Sequence, residues 1–181
     1  MRLWSLSTTY LDDIGLFRCF NEGKIGLRAL IKGSHAIIDS YIGKSQTGKS
    51  LWGKQSIKTP YYNHPQLNRF KATKKAKQYL SNYLWGIYKE LKKRGMVKDD
   101  KFDTSILLPY KRLPKINVTK DQLEYEFKHL QNKLLFRSPE EYAINAYNVG
   151  DVGMLIQIDK IKANPLFKIV KGEIEKWEKI K

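Results

Sequence analysis

The chain of 181 residues is long enough for about one domain with a real hydrophobic core and short for two. Its 34 Lys and Arg residues outnumber 18 Asp and Glu, and this formal net charge of +16 must lie largely on the surface, where it favours a polyanionic partner such as DNA or RNA. The single cysteine excludes an internal disulfide and a cysteine-clustered zinc site, and no apolar run is long enough to cross a membrane.

The first third of the chain predicts helix followed by a long loop. Apolar residues between Tyr10 and Ile31 recur mostly at helical spacing, which indicates one or two helices with Gly23 and Gly26 as interruptions. Residues 34–61 are rich in Gly, Ser, Thr and Lys and show no sustained period. We interpret this stretch as a long basic loop or insertion.

Two further helices are predicted in the middle of the chain. A short one begins near Pro65, a residue type that suits the first turn of a helix. A longer one spans residues 80–91, where apolar residues recur at helical spacing, and Gly95 ends it. The chain between them carries a basic cluster suited to phosphate contact, although such a run is more often only a solvated surface: Lys71, Lys74, Lys75 and Lys77.

The C-terminal part predicts two more helices. Thr119 and Gln122 make a capping box at the start of the first helix. Ser138 begins the second by the same capping logic, and Gly150 ends it. The tail from residue 154 onward mixes a short apolar run with a possible terminal helix. The expected fold class is therefore mainly α, a compact single-domain helical fold with long basic loops.

Residues 43–50, GKSQTGKS, fit the G-x-x-x-x-G-K-[ST] phosphate-binding pattern. Such a loop binds phosphate through backbone N–H groups between a buried strand and the N-terminus of a helix. The preceding AIIDSYI could be a strand, but Gly53 and Pro60 follow before a stable helix could develop. A nucleotide hydrolase that uses Gly43 to Ser50 is therefore a secondary alternative, and a basic loop that lies against DNA phosphates is favoured.

The first residues, MRLWSL, draw attention to the terminal amine. Met1 is followed by Arg2, whose bulk should prevent removal of the initiator methionine. An α-amino group has a reference pKa near 7.7–8.0 against about 10.4 for lysine, so much more of it is the unprotonated nucleophile at neutral pH. It can form a Schiff base, and Arg2 would lower its pKa further if both pack against the fold. The alternative is a frayed and inert terminus, as in most proteins.

Five segments spread in order over nearly the whole chain carry a family resemblance: MRLWSL at 1–6, FNEGK at 20–24, NHPQLNRFK at 63–71, VTKDQLEYEFKHLQNKL at 118–134 and NPLFKIVKGEIEKWEK at 164–179. Together they resemble the cellular branch of the pyrimidine-dimer DNA glycosylase/AP lyase family, typified by a bacteriophage repair enzyme. The resemblance implies a mainly α fold in which residues 1–181 form one glycosylase-like domain. Residues 34–61 would be a loop insertion relative to that family.

The resemblance also implies catalytic roles for Met1 and Glu22. The Met1 α-amine would attack C1′ of the damaged nucleotide's sugar, release the base and form an imine to the protein. Glu22 would stabilise the cationic intermediate and help to move protons, including the C2′ proton whose loss drives β-elimination. Arg2 would contact phosphate and help to hold the deformed duplex. No cofactor is implied.

The chain departs from the phage enzyme near these residues. It would present Met1 rather than a small threonine, and Asn21 and Gly23 stand beside Glu22 in place of close arginines. The lesion range is therefore open, and positive charge must come from other residues. His64 could face the site or simply cap a helix. The DNA-binding candidates are Arg2, Arg18, Lys24, Arg28, His64, Arg69 and Lys71.

These inferences predict a DNA repair enzyme that acts as a monomer in the cytoplasm, associated with the nucleoid. Its partner would be double-stranded DNA containing pyrimidine dimers or abasic sites. The three histidines show no metal-ligand spacing, so no metal is expected. The first rival function is a non-catalytic basic nucleic-acid-binding domain, which would bind DNA with steep salt dependence but form no covalent adduct with it.

Overall fold

The computed structural model describes residues 2–44, 47, 50–97, 102–150, 158–178 and 180. Within these residues the chain is mainly helical, as predicted, with two small sheets. In chain order the elements are α1 (Asp13–Lys32), β1 (His35–Lys44), β2 (Ser50–Lys58), α2 (Asn68–Lys71), α3 (Ala76–Lys93), β3 (Ile116–Thr119), α4 (Lys120–Arg137), α5 (Pro139–Val149) and β4 (Phe167–Val170).

The first helix, α1, is continuous, and the interruptions expected at Gly23 and Gly26 do not occur. A glycine inside a helix costs only about 1 kcal/mol relative to alanine, which tertiary packing can outweigh. At position 23 an added Cβ would lie 2.5 Å from Leu84 Cδ2 on α3. Gly23 is therefore retained in the helix because its missing side chain lets α1 pack closely against α3.

Residues 34–61 contain an antiparallel hairpin, so the prediction of a long loop was wrong. Its strands pair from His35 opposite Lys58 to Lys44 opposite Ser50. The pairing satisfies the backbone N–H and C=O groups that the two strands turn toward each other, whatever their side chains are. Composition alone therefore failed to reveal the hairpin, because its Gly, Ser and Lys residues are poor strand formers.

The same hairpin contradicts the nucleotide-binding interpretation of GKSQTGKS. The strand that was considered possible before the motif is present as β1. Ser50, however, begins the strand β2 rather than a helix, so the helix N-terminus that a phosphate loop needs is not formed. Gly48 and Lys49 lie outside the described residues.

The two helices predicted in the middle of the chain are confirmed. A 3₁₀ turn at Pro65–Leu67 leads into α2, and His64 Nδ1 accepts a hydrogen bond from the Gln66 N–H at 3.2 Å. The capping alternative for His64 is thus realised. The helix α3 covers residues 80–91, and its apolar stripe is buried against the core.

Both C-terminal helices form where they were predicted, but only part of the predicted capping is present. Thr119 Oγ1 accepts a hydrogen bond from the Gln122 N–H at 3.3 Å at the start of α4. The Gln122 side chain turns inward instead of closing the capping box. Ser138 precedes α5 without a side-chain capping bond, and Gly150 ends the helix in the left-handed region with φ of 65°.

The tail has no terminal helix in residues 158–178 and 180, which corrects the helical expectation. Instead β4 pairs in parallel with β3, from Ile116 opposite Phe167 to Thr119 opposite Val170. The two strands lie far apart in sequence, with α4 and α5 between them. Local pattern could not indicate this pairing because each strand is only four residues long.

The N-terminal segment lies inside the fold. Leu3 and Leu6 are fully buried, and Leu6 forms an isolated antiparallel bridge with Ala163. They belong to a hydrophobic cluster with residues of α1, α3 and α4. This packing fixes the beginning of the chain beside those helices. None of the helices in the described residues is both long and apolar enough to cross a membrane.

Candidate active site

Backbone hydrogen bonds hold the first residues of the chain. The Arg2 N–H donates to Glu22 Oε2 of α1 at 2.9 Å. The next amide, of Leu3, donates at 3.2 Å to Oε1 of Gln66, whose side chain is buried. Glu22 thus contacts the backbone of Arg2, although the two residues are 20 positions apart in the sequence.

Glu126 of α4 supplies a third acceptor. Its Oε2 accepts from the Ser5 N–H at 2.6 Å and from the Ser5 hydroxyl at 2.8 Å, while Arg69 Nη2 donates to Oε1 at 2.6 Å. Burial raises the pKa of Glu126, but the Arg69 charge and hydrogen bonds from Arg69, Gln122 and Ser5 outweigh it and hold the pKa below its usual range. The buried carboxylate is therefore ionised at neutral pH.

Glu178 fixes the side chain of Arg2. Its Oε2 accepts from Arg2 Nη1 at 2.6 Å, from Gln122 Nε2 at 2.9 Å and from Gln66 Nε2 at 3.4 Å. The Arg2 guanidinium carbon also lies 5.3 Å from the centre of the Trp4 ring. Arg2 therefore has one defined orientation, set by a nearly buried carboxylate and an aromatic face.

A pocket of about 260 Å³ lies between the N-terminal segment, α1 and α4. Its lining contains four Lys or Arg side chains and one carboxylate, Glu22, so it favours an anionic ligand. No group of three or more His, Cys, Asp or Glu side chains that could hold a metal ion occurs in the described residues. The pocket is lined by Arg2, Trp4, Gly15, Arg18, Cys19, Glu22, Tyr125, His129, Lys133 and Arg137.

Two cations on α4 shape one side of this pocket. Lys133 Nζ lies 5.4 Å from the centre of the Trp4 ring. Partial burial and the charges of Arg2 and Arg137 lower the pKa of Lys133. Arg137 is held by a forked contact with Asp12, in which Nε donates to Oδ2 at 2.7 Å and Nη2 donates to Oδ1. Arg137 is thus held in place by Asp12. Lys133 loses its proton more readily than an ordinary lysine does.

Aromatic rings form another side of the pocket. The His129 ring lies between two others, with its centre 5.9 Å from the Trp4 ring and 6.1 Å from the Tyr125 ring. The His129 and Tyr125 planes are 10° apart, which is a stacked arrangement. Flat aromatic surfaces next to positive charge are suited to a nucleobase and its phosphate.

A family model described as pyrimidine dimer DNA glycosylase matches residues 1–104, which is more than half of the chain. The chain belongs to the pyrimidine dimer DNA glycosylase family. The resemblance inferred from the sequence is thereby confirmed, although two of its five segments, 118–134 and 164–179, lie beyond the matched residues. Comparisons with curated proteins and with solved structures give no match.

Three of the residues predicted for a pyrimidine dimer glycosylase come together in the pocket. Glu22, Arg2 and Arg18 all line it, and Arg18 is exposed at its mouth. Glu22 also contacts the Arg2 amide. Met1, the predicted nucleophile, lies outside the described residues. The structure therefore brings three of the predicted residues to one pocket, and their roles stay predictions.

Two predicted DNA contacts on α1 do not line the pocket. Lys24 Nζ pairs with Asp103 Oδ2 at 3.2 Å and lies 5.4 Å from the centre of the Phe20 ring. Arg28 is exposed further along the helix. Proximity to Glu22 in sequence suggested both residues, but helical rotation points successive side chains in different directions. Lys24 is engaged with Asp103 and Phe20, and DNA contact by Lys24 and Arg28 stays a prediction.

The three predicted contacts from the 63–71 segment have different surroundings. Arg69 is buried, with its charge paired to Glu126 and its guanidinium carbon 4.8 Å from the centre of the Trp177 ring. It supports the site from inside the core rather than presenting its charge to DNA. Lys71 donates to the Tyr62 carbonyl at 2.9 Å and lines a different cavity, and His64 caps the turn described above.

Sequence reasoning missed the contribution of α4. Four of its residues line the pocket at intervals of four: Tyr125, His129, Lys133 and Arg137. Residues four apart lie on one face of a helix, so a polar and aromatic stripe was present in the sequence. The sequence analysis predicted the start of this helix from its cap but assigned no role to these four residues, because nothing local showed that they share a pocket with Glu22.

Proposed function

We propose that this glycosylase family member excises damaged pyrimidines and then nicks the DNA strand by imine chemistry, with the Met1 α-amine as nucleophile. The observation that carries the proposal is the 2.9 Å hydrogen bond between Glu22 and the Arg2 amide, at the edge of a positively charged pocket. The amide that this carboxylate binds belongs to the residue that follows Met1 in the sequence. Nucleophilic catalysis by an amine needs such a neighbouring group to move protons.

The first stage replaces the bond between sugar and base. The unprotonated amine attacks C1′, and the glycosidic C1′–N1 bond breaks with its electron pair leaving on the base, which takes up a proton. The amine loses one proton, and the nitrogen lone pair then opens the C1′–O4′ bond, whose electron pair leaves on O4′ and takes up a proton there. The product is an iminium ion between C1′ and the protein. The Glu22 carboxylate stabilises this cation because the two charges are opposite and partly shielded from water.

The second stage cuts the strand. A base removes the C2′ proton, the electron pair forms the C2′–C3′ double bond, and the C3′–O bond breaks with its pair leaving on the phosphate. Glu22 is the base in this proposal because it is the carboxylate of the pocket. Water then hydrolyses the imine and restores the free amine. The AP lyase activity therefore follows from the same two groups.

The rest of the pocket suits the substrate that this chemistry needs. Arg2, Arg18 and Arg137 would neutralise phosphates around the lesion, and the Trp4 and His129 rings offer surfaces for an extruded base. A pyrimidine dimer is easier to extrude than a normal base pair because it stacks and pairs poorly. We propose double-stranded DNA with dimers or abasic sites as the substrate of a monomeric, single-domain enzyme.

The deciding experiment is borohydride trapping. Duplexes that carry one abasic site or one cyclobutane dimer are incubated with the protein in EDTA and sodium borohydride, and the adduct is located by peptide mass mapping. We expect a stable secondary amine at the Met1 nitrogen. Glu22→Gln should reduce turnover by roughly 10²–10⁴ fold. The matched control is Glu124→Gln, which removes a carboxylate that pairs with Lys128 on α4 outside the pocket.

A second variant tests the nucleophile directly. Insertion of a leucine between Met1 and Arg2 moves the amine by up to about 3.6 Å while keeping a bulky second residue. Trapping at the terminal nitrogen should then fall strongly, with DNA binding retained. The proposal fails if wild-type protein gives no adduct with either duplex, in which case a non-catalytic DNA-binding protein is the better description. An adduct at a lysine would refute Met1 alone.

A further inference from the structure

A second basic cavity lies away from the candidate active site. We call it the lysine cleft, and it has a volume of about 640 Å³. Its lining includes five lysines and contains no Asp or Glu. The residues that form it are Leu30, Tyr62, Lys71, Lys74, Lys75, Ala76, Lys77, Gln78, Leu108 and Lys111. A cavity with this lining selects for an anion by charge alone.

Most of these ammonium groups have no hydrogen-bond or ion-pair partner among the residues that the structure describes. The side chains of Lys74, Lys75, Lys77 and Lys111 are exposed and form no ion pair or hydrogen bond within the described part of the chain. Lys71 is the exception, because its Nζ donates to the Tyr62 carbonyl and lies 4.9 Å from the centre of the Tyr62 ring. Clustered like charges repel one another, and a bound polyanion would remove that repulsion.

The frame of the cleft is fixed even though its lysine side chains are long. Asn82 of α3 binds the backbone of Lys111 twice, since its Nδ2 donates to the carbonyl at 2.6 Å and its Oδ1 accepts from the N–H at 3.3 Å. Ser81 does the same for Leu108, at 3.1 and 2.8 Å. These contacts hold the 108–111 segment against α3, so the cations remain on one surface.

Two parts of the chain join the lysine cleft to the candidate active site. On α1, Leu30 of the cleft follows Glu22 by eight residues, which is about 12 Å along the helix. The segment from Tyr62 to Lys71 borders the cleft at both ends, while Gln66 in its middle accepts the hydrogen bond from the Leu3 amide. At about 3.4 Å per base pair, this separation corresponds to between three and four base pairs.

We propose that the lysine cleft binds backbone phosphates of the duplex on one side of the lesion. This inference rests on the proposed function, because the duplex must already be placed at Glu22. The cleft contains lysine but no arginine. Ammonium groups are point charges without the planar fork that reads base edges, so the contact adds affinity and orientation without sequence preference.

The test uses the triple variant Lys74→Gln, Lys75→Gln and Lys77→Gln in the full-length chain. Each phosphate contact contributes about 0.9 to the slope of log affinity against log salt, so we expect the slope to fall by about 2–3. Affinity for a duplex of about 30 base pairs should fall about tenfold or more at low salt. The single-turnover rate on saturating abasic DNA should not change.

Orientation gives a sharper readout. Two duplexes of about 20 base pairs carry the abasic site about two base pairs from one end or from the other, so that the short arm ends before it reaches the cleft. If the cleft binds only one flank, the triple variant should lose affinity for the duplex whose long arm covers the cleft. It should lose little affinity for the duplex whose long arm lies on the other side. Thermal unfolding of the variant should match wild type, because these three side chains are exposed.

A matched control removes three exposed lysines elsewhere: Lys160, Lys162 and Lys168. The proposal is overturned if both triple variants weaken DNA binding equally, since net charge would then explain the effect. Binding of tripolyphosphate to the cleft variant is measured by calorimetry. The proposal is also overturned if this variant loses tripolyphosphate binding but binds DNA as wild type does. Failure of borohydride trapping with wild-type protein would contradict the imine mechanism but leave the salt slope as an independent test of the cleft.

Discussion

The Glu126 carboxylate accepts hydrogen bonds from both donors of Ser5, its N–H at 2.6 Å and its hydroxyl at 2.8 Å. Residues near the beginning of a domain are often frayed, whereas Ser5 is bound to a fully buried carboxylate. The same carboxylate neutralises Arg69 in the core. Glu126 therefore links the position of the N-terminal segment to the stability of the interior.

Replacing Glu126 by leucine should destabilise the protein by about 3–5 kcal/mol, because Arg69 would be left as a buried charge without its partner. The pKa of Glu126 is lowered in the folded protein, so its stabilising effect is present above the unfolded-state value of about 4.3 and is lost as pH falls through the folded value. Urea unfolding from pH 7 to pH 3 gives the free energy of unfolding of wild type and of Glu126→Gln, and the difference between the two should narrow below about pH 4. A difference that widens in acid would contradict this assignment.

Lys133 should titrate at lower pH than an ordinary lysine. Partial burial lowers its pKa first, and the charges of Arg2 and Arg137 add to that effect. Arg137→Gln removes one of these positive charges, so the pKa of Lys133 should rise. NMR of ¹³C-methylated lysines would follow the titration. Arg112→Gln, which removes an exposed arginine outside the pocket, is the control, and an equal rise in both variants would exclude a local effect of Arg137.

The sequence predicted the helices of the fold well, since α1 and α3 have apolar residues at helical spacing and α4 and α5 have capping residues near their ends. The interruption expected in α1 is an exception. Gly23 was expected to interrupt α1 on the basis of propensity, but its role depends on Leu84 in another helix. The β1 and β2 hairpin and the parallel β3 and β4 pair were missed for the same reason, because backbone pairing between segments leaves little signal in composition.

The candidate site was predicted in part. Glu22 and Arg2 came from a resemblance of short segments, and the structure shows their contact. The stripe from Tyr125 to Arg137 was visible in the sequence as a spacing of four residues. Only the structure shows that these residues of α4 line the same pocket as residues of α1. Arg69 shows another limit of sequence reasoning. An arginine in a basic segment is typical of a phosphate contact, and only the structure shows that Arg69 has a buried partner, Glu126.

Cys19 should be inert in the native protein although it lines the candidate pocket. Burial raises the pKa of its thiol to about 12, despite a contact of 3.2 Å with the Tyr83 hydroxyl. The reactive thiolate is therefore scarce at pH 8. Iodoacetamide at that pH should leave native Cys19 unmodified over the time in which urea-unfolded protein reacts completely, as read by intact mass. Rapid alkylation of the native protein would contradict the burial.

The approach of α1 to α3 can be tested at one atom. A Cβ at position 23 would lie 2.5 Å from Leu84 Cδ2, so Gly23→Ala must displace a side chain in a packed interface. We expect a loss of about 1–3 kcal/mol in the free energy of unfolding. Gly86→Ala in α3 is the matched control, because an added Cβ there meets no atom within 4 Å among the described residues. Helix propensity alone should then stabilise the control by up to about 1 kcal/mol. Urea unfolding measures both values, and equal stabilisation of the two variants would show that Gly23 has no packing role.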